Sequence, residues 1–224
     1  MIESFQFSDQ KQWLAALIRD FHRIIADAVA TRHGAHVALS GGSTPKPFYS
    51  RLNQEPLPWP KIEWWLGDER WVPPADPASN EKMVRETLGR DQTGFTAHFH
   101  SWHLAKEPEN AAQAYEMNLQ KQVGDPPTFD LILLGLGQDG HTASLFPGTA
   151  ALQETKLLAM ANPVPQSQTI RLTLTFPVLN RARQVWFLVQ GKDKGTMVKK
   201  LVEQADDIPA ARIQNSSQRL YWLQ

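Results

Sequence analysis

An acid and a histidine, Asp139 and His141, stand two residues apart in a glycine-rich turn that follows an apolar run at 129–134. Because a parallel strand delivers the residues after its carboxyl end to a ligand-binding edge of the sheet, the spacing predicts an acid–histidine site there. An imidazole so placed can take a proton from water and return it to a leaving group. We interpret His141 as the candidate base and Asp139 as the group that orients it or stabilises its charged form.

The same turn contains a second pattern, since Gly135, Gly137 and Gly140 spell the G-x-G-x-x-G fingerprint of dinucleotide-binding folds. That fingerprint requires a long helix after the third glycine, whereas Pro147 ends any helix within about two turns. Asp139 would also place negative charge where a pyrophosphate must bind. The sequence therefore favours an acid–histidine site over a nucleotide site, and a plain glycine turn with an exposed histidine is the third alternative.

A second glycine turn, at 40–44, joins a predicted strand to a predicted helix. Its glycines let backbone N–H groups face a ligand, its hydroxyls add donors, and a helix N-terminus favours an anion. We predict that Gly42, Ser43 and Thr44 form a cradle for a phosphate or carboxylate. A helix start without a ligand is the alternative, and the Walker motif does not match.

Charged residues at other predicted strand ends complete the candidate site. Asp68 and Arg70 follow an apolar strand at 63–66, Arg171 begins an alternating segment, and Lys192 follows the last long apolar strand. Each alone is typical of a solvated surface or a surface ion pair. The formal net charge of the chain is +0, so any attraction for an anionic ligand must be local. Together these residues predict such a local positive charge.

His98, His100 and His103 form the candidate metal cluster of the chain. On a strand, His98 and His100 would share a face, and zinc accepts imidazole readily. No acid is expected in the same cluster, and Phe99 and Trp102 are typical of a half-buried strand. We therefore predict no metal site.

Composition excludes several classes of function. With 23 basic and 23 acidic residues, the chain has no global field that attracts nucleic acid, and no apolar run approaches the roughly 20 residues of a membrane span. The absence of cysteine excludes disulfides, thiolate catalysis and zinc–thiolate sites. The first residues do not resemble a signal peptide. We expect a cytoplasmic, soluble protein with no nucleic-acid or membrane partner.

Helical and strand patterns alternate along the chain, which indicates βαβ units. Helices are predicted at 9–34, 45–52, 80–88, 108–123, from about 177, and around 197–202. Strands are predicted at 36–40, 63–66, 129–134, 156–161, 169–175, 185–190 and 221–223. The alternation predicts a single domain, 1–224, with a three-layer α/β fold in which a mostly parallel, Rossmann-like sheet carries helices on both faces.

In order along the chain, these motifs resemble those of the 6-phosphogluconolactonase family, within the glucosamine-6-phosphate deaminase-like superfamily. The resemblance is carried by 40–45, 68–73, 79–80, 135–148, 171–175 and 191–194. It implies hydrolysis of a sugar-phosphate lactone, 6-phosphogluconolactone, without metal or organic cofactor. It also implies that Ser43, Thr44, Arg171 and Lys192 clamp the phosphate. The residues Gly42 and Asp68 are expected to bind substrate, and Arg70 to contact the sugar or the developing oxyanion.

Two other functions fit the same resemblance less well. Deaminases of the superfamily carry a glutamate shortly after the histidine, whereas 142–148 contains no acid, and Arg70-Trp71 is lactonase-like. A sugar-phosphate-sensing regulator would carry a separate DNA-binding segment, but the predicted domain begins near residue 9. Direct attack by Ser43 or Ser144 is the weaker mechanistic alternative, since neither lies in a G-x-S-x-G turn.

Overall fold

The computed structural model describes the whole chain, Met1–Gln224, as alternating strands and helices joined by short 3-10 turns. The strands are β1 (Glu3–Phe7), β2 (Ala35–Leu39), β3 (Ile62–Leu66), β4 (Asp68–Arg70), β5 (Leu131–Leu134), β6 (Ala159–Val164), β7 (Thr169–Leu174), β8 (Val185–Gln190) and β9 (Gln218–Leu223). The helices are α1 (Gln10–Arg32), α2 (Lys46–Leu52), α3 (Asn80–Thr87), α4 (Thr93–Ala97), α5 (Pro108–Gln122), α6 (Phe176–Arg181) and α7 (Gly195–Val202).

Six strands form one sheet in the order β1-β9-β8-β5-β2-β3, and every neighbouring pair in it is parallel. The central strands β5 and β8 are apolar and buried along almost their whole length, as expected for a parallel sheet covered by helices. The predicted α/β fold, with a mostly parallel sheet flanked by helices, is confirmed.

A second, antiparallel sheet of three strands, in the order β4-β7-β6, was not predicted. The segment 67–70 was expected to be a turn, but only Gly67 separates β3 from β4. Asp68 and Arg70 then pair with Thr173 and Arg171 of β7. The small sheet therefore rises directly from the carboxyl end of β3.

Helix α1 shows how local sequence sets an element. The carboxylate of Asp9 accepts hydrogen bonds from the backbone N–H groups of Lys11 and Gln12, which satisfies two free donors at the helix start. The helix was predicted to end at Gly34, but His33 already adopts the left-handed conformation, with φ of 66°. Helix α3 begins at Asn80, and the Ser79 hydroxyl caps it by accepting the backbone N–H of Lys82.

The core is one cluster of 58 buried residues, and it contains most of the tryptophans. The fully buried ones are Trp13, Trp64, Trp65, Trp102 and Trp186. Strand β1 lies at the sheet edge with mostly exposed side chains, so its sequence carries no strong strand pattern. The helices are too short or too polar to cross a bilayer.

Four adjacent strands of the main sheet, β8, β5, β2 and β3, end at the same edge. The turns that follow them are 191–194, 135–141, 40–45 and the single residue Gly67 before β4. Because these strands are parallel neighbours, their carboxyl ends place the polar turns side by side. Sheet order thus brings together residues far apart in sequence.

Candidate active site

A cavity of about 340 Å³ opens at the carboxyl ends of these four strands. Three cationic side chains and one carboxylate line it, so it is locally positive although the whole chain is neutral. Most of the predicted site residues are in its lining, namely Gly42, Ser43, Thr44, Asp68, Arg70, His141 and Arg171.

Asp139 and His141 are in direct contact. Asp139 Oδ1 lies 2.5 Å from His141 Nδ1, and it also accepts the backbone N–H of His141 at 3.1 Å. Burial raises the pKa of Asp139, but the hydrogen bonds from His141 outweigh it and hold that pKa below the ordinary 3.8. Asp139 is therefore an anion at neutral pH, and it places a proton on Nδ1 and leaves Nε2 with the free lone pair.

The aromatic ring of Phe146 fixes the plane of the base. The His141 and Phe146 rings stack with centroids 4.0 Å apart, and the Arg171 guanidinium lies over the same phenyl ring at 5.8 Å. A cation above an aromatic face is attracted to its negative quadrupole. One buried phenyl ring thus holds both the candidate base and a candidate phosphate ligand.

Gly137, in the middle of the 135–141 turn, makes room for the acid–histidine pair. A Cβ on Gly137 would lie 2.1 Å from His141 Nδ1 and 2.6 Å from Asp139 Oδ1, which no real side chain tolerates. A Cβ on Gly135 would meet nothing within 4 Å. A dinucleotide site would require an α-helix directly after Gly140, and the chain forms none there.

Asp68 joins the segment after His141 to the small sheet. Its Oδ2 accepts the Ser144 hydroxyl at 2.6 Å, while Asn80 Nδ2 donates to its Oδ1 at 3.3 Å and to its carbonyl at 2.9 Å. Ser144 also donates its backbone N–H to Thr173 Oγ1. The Ser144 hydroxyl is therefore engaged and fully buried, which disfavours it as a nucleophile.

Glu69, which stands between Asp68 and Arg70 on β4, is completely buried. Its carboxylate accepts hydrogen bonds from the backbone N–H groups of Arg70, Asn80 and Glu81 and from the Ser79 hydroxyl. Burial raises the pKa of Glu69, and these hydrogen bonds oppose the rise. The residue anchors the start of α3 on β4, next to the cavity.

Arg70 and Arg171 lie directly opposite each other in the β4–β7 pair, and both line the cavity. Burial lowers the pKa of Arg171, and the positive charge of Arg70 lowers it further. Two adjacent guanidiniums repel, and an anion between or beside them relieves that repulsion. The arrangement is suited to a phosphate or an oxyanion.

The structure places Lys194, not the predicted Lys192, in the cavity wall. Lys194 Nζ donates to the carbonyl of Leu136 at 3.1 Å, so it reaches across to the 135–141 turn. Both lysines lie in a 3-10 turn, Lys192–Lys194, in which each residue rotates the chain by about 120°. Side chains two residues apart in such a turn point in different directions.

The three histidines at 98–103 do not form one cluster. His98 Nδ1 and His100 Nε2 hydrogen-bond the two carboxylate oxygens of Glu63 at 2.8 and 2.7 Å, while His103 stacks on Trp71. The expectation that no acid lies among them is therefore wrong, because β3 supplies one from 35 residues away. Glu63 is near the start of β3, at the edge opposite the cavity.

Comparisons of sequence agree with the geometry. The family model for glucosamine-6-phosphate isomerases/6-phosphogluconolactonase matches residues 8–222. A 6-phosphogluconolactonase of Synechocystis sp. is 48% identical over 177 residues, which cover 76% of this chain and 72% of that protein. A 6-phosphogluconolactonase of Nostoc sp. is 41% identical over 84% of this chain and 80% of its own length.

Solved structures agree as well. The 6-phosphogluconolactonase of Thermotoga maritima superposes with a TM-score of 0.87 at 26% identity, over 100% of this chain and 99% of that chain. A monomeric glucosamine-6-phosphate deaminase shares the fold, with a TM-score of 0.79 at 20% identity over 99% of this chain and 97% of its own. The chain therefore belongs to the 6-phosphogluconolactonase family of enzymes, within the superfamily that also contains the deaminases.

Proposed function

We propose that this chain hydrolyses 6-phospho-D-glucono-1,5-lactone to 6-phospho-D-gluconate, the second step of the oxidative pentose phosphate pathway. The observation that carries the proposal is the 2.5 Å contact between Asp139 and His141, with the imidazole facing a cavity lined by cations. A base held in one orientation beside an anion-binding wall is what hydrolysis of a phosphorylated lactone requires.

The proposed chemistry needs one water molecule and one base. Nε2 of His141 takes a proton from water as the water oxygen bonds to the lactone carbonyl carbon C1. The tetrahedral intermediate then collapses, the bond from C1 to the ring oxygen breaks, and the imidazolium returns its proton to that oxygen. Asp139 stabilises the imidazolium between the two transfers, and the new carboxylic acid loses its proton to solvent.

Cationic groups have two proposed tasks. The phosphate is bound by Arg171 and Lys194, together with the hydroxyls of Ser43 and Thr44 and the backbone at Gly42. Charge-assisted hydrogen bonds to a dianion are stronger than those between neutral groups. Arg70 stabilises the negative charge that develops on the carbonyl oxygen.

A coupled assay on freshly generated lactone tests the proposal, with the spontaneous hydrolysis rate subtracted. We expect His141→Ala and His141→Asn to lower kcat by roughly 10²–10⁴-fold with little change in KM, the usual contribution of a general base. The matched control is His33→Asn, an exposed left-handed position that asparagine tolerates. Wild-type rates in His141→Ala would remove the general-base assignment.

A further inference from the structure

Eight buried side-chain polar atoms have no hydrogen-bond partner in the protein, and three of them lie in residues that line the one cavity just described. These three are Ser40 Oγ, Arg70 Nε and Asn80 Oδ1. Buried polar atoms are normally paired, so unpaired ones call for an explanation. The proposed contact with the carbonyl oxygen accounts for Arg70, which leaves Ser40 and Asn80 unexplained.

Asn80 presents an acceptor. Its Nδ2 donates to two oxygens of Asp68, at 2.9 and 3.3 Å, and this fixes which end of the carboxamide is oxygen. The residue is 1% exposed, and Oδ1 faces Gly41, where an added Cβ would lie 1.9 Å from it. An amide oxygen accepts hydrogen bonds only, so it repels a phosphate or carbonyl oxygen and selects a hydroxyl group.

Ser40 presents a second unpartnered atom, its hydroxyl oxygen, in the residue that precedes Gly41. Its own backbone N–H and carbonyl are both satisfied by the Tyr49 hydroxyl, at 3.0 and 2.9 Å. Ser40 is 6% exposed and is followed directly by Gly41, the residue that packs on Asn80. Its Oγ is therefore free to donate to a ligand or to accept from one.

Ser40 and Asn80 form a wall of the cavity that is joined to both ends of the proposed site. On one side it continues into Ser43 and Thr44, the proposed phosphate end. On the other side Asn80 holds Asp68, and Asp68 holds Ser144 of the His141 turn. In a gluconolactone 6-phosphate, the carbons between the phosphate and the ester carbonyl carry free hydroxyls at C2, C3 and C4.

We propose that Ser40 and Asn80 are specificity-determining residues that bind ring hydroxyls of the lactone. The inference rests on the proposed lactonase activity and deepens it. The hydroxyl donates to Asn80 Oδ1 and exchanges a hydrogen bond with Ser40 Oγ. A lactone that lacks this hydroxyl leaves both atoms buried and unpaired, and the enzyme discriminates against it for that reason.

The test compares the parent lactone with its 2-, 3- and 4-deoxy analogues, each generated by oxidation of the corresponding sugar phosphate. We expect wild type to lose roughly tenfold in kcat/KM with at least one analogue, the effect of one lost hydrogen bond. We define the penalty as the kcat/KM of the parent lactone divided by that of the analogue. In Ser40→Ala and in Asn80→Ala, the penalty for that analogue falls to about one. The penalty is a ratio within each variant, so a general loss of activity in Asn80→Ala does not affect it.

Two further measurements separate the outcomes. Ser40→Ala loses no hydrogen bond within the protein, so its melting temperature is not lowered, and Ser50→Ala on the exposed face of α2 keeps the wild-type penalties. Wild-type penalties for all three analogues in both cavity variants would overturn the inference alone. A wild-type enzyme no faster than spontaneous hydrolysis would overturn the proposed function and this inference with it.

Discussion

Lys192 and Lys194 differ by two positions, yet only the second lines the cavity. We expect Lys194→Ala to raise KM for the lactone by about 10–100-fold with a smaller effect on kcat, because a charge-assisted hydrogen bond to phosphate is lost. Lys192→Ala is the matched control and should keep KM near wild type. Steady-state kinetics of both variants test this expectation. Equal changes in KM in the two variants, or a loss confined to kcat, would contradict a phosphate-binding role for Lys194.

Sequence spacing predicts the relation between two site residues only where their geometry is local. Asp139 and His141 stand in one tight turn, and their spacing is enough to predict that they act together. The choice between the two lysines depends on how a 3-10 turn rotates them, which no spacing rule specifies. The sequence suggests Ser144 only as a nucleophile. Its hydrogen bond to Asp68 joins residues 76 positions apart, so no local pattern predicts it.

At the scale of the element, the 135–141 turn is built around its middle glycine. We expect Gly137→Ala to lower kcat/KM by roughly 10²-fold, since the new Cβ displaces the imidazole and the carboxylate that it would overlap, and misplacement of about 1 Å has that cost. Gly135→Ala meets nothing within 4 Å and should retain activity. The lactone assay, with melting curves for both variants, would show whether activity is lost because the side chains are misplaced or because the protein is less stable. Comparable activity in Gly137→Ala and Gly135→Ala would refute the packing argument.

Elements with strong local patterns were predicted well, and those defined by distant pairing were not. Helix α1 follows from its Asp9 cap and apolar periodicity. Strand β4 has three polar residues and becomes a strand only through β7, about a hundred residues later in the chain, which also sets Arg70 opposite Arg171. A sequence pattern contains no information on such a partner, so the second sheet and the pairing of Arg70 with Arg171 were missed.

At the scale of the whole molecule, the two edges of the main sheet have different chemistry. The carboxyl edge gathers cations and a histidine that faces a cavity, although formal net charge is +0. The amino edge holds Glu63 between His98 and His100, whose ring nitrogens hydrogen-bond its two carboxylate oxygens. His98 and His100 are therefore outside the candidate site.

Three partly buried histidines make stability depend on pH. Burial lowers the pKa of His36, His100 and His103 below the ordinary 6.5, although nearby carboxylates, Glu63 and Asp130 for His36, oppose the shift. The unfolded chain therefore binds more protons than the folded one between each lowered pKa and 6.5. Their stabilising contribution is complete above that value and is lost as pH falls through the window.

We therefore expect the free energy of unfolding, measured with urea, to decrease between about pH 7.5 and pH 5.5. Glu69, whose pKa is raised by burial, acts in the opposite direction, and comparison with His36→Phe cancels its contribution. His36 Nδ1 is buried without a partner, so phenylalanine removes the proton site at little structural cost, and the variant should show a shallower decrease. Parallel pH dependences in wild type and His36→Phe would exclude His36 as a source of the effect.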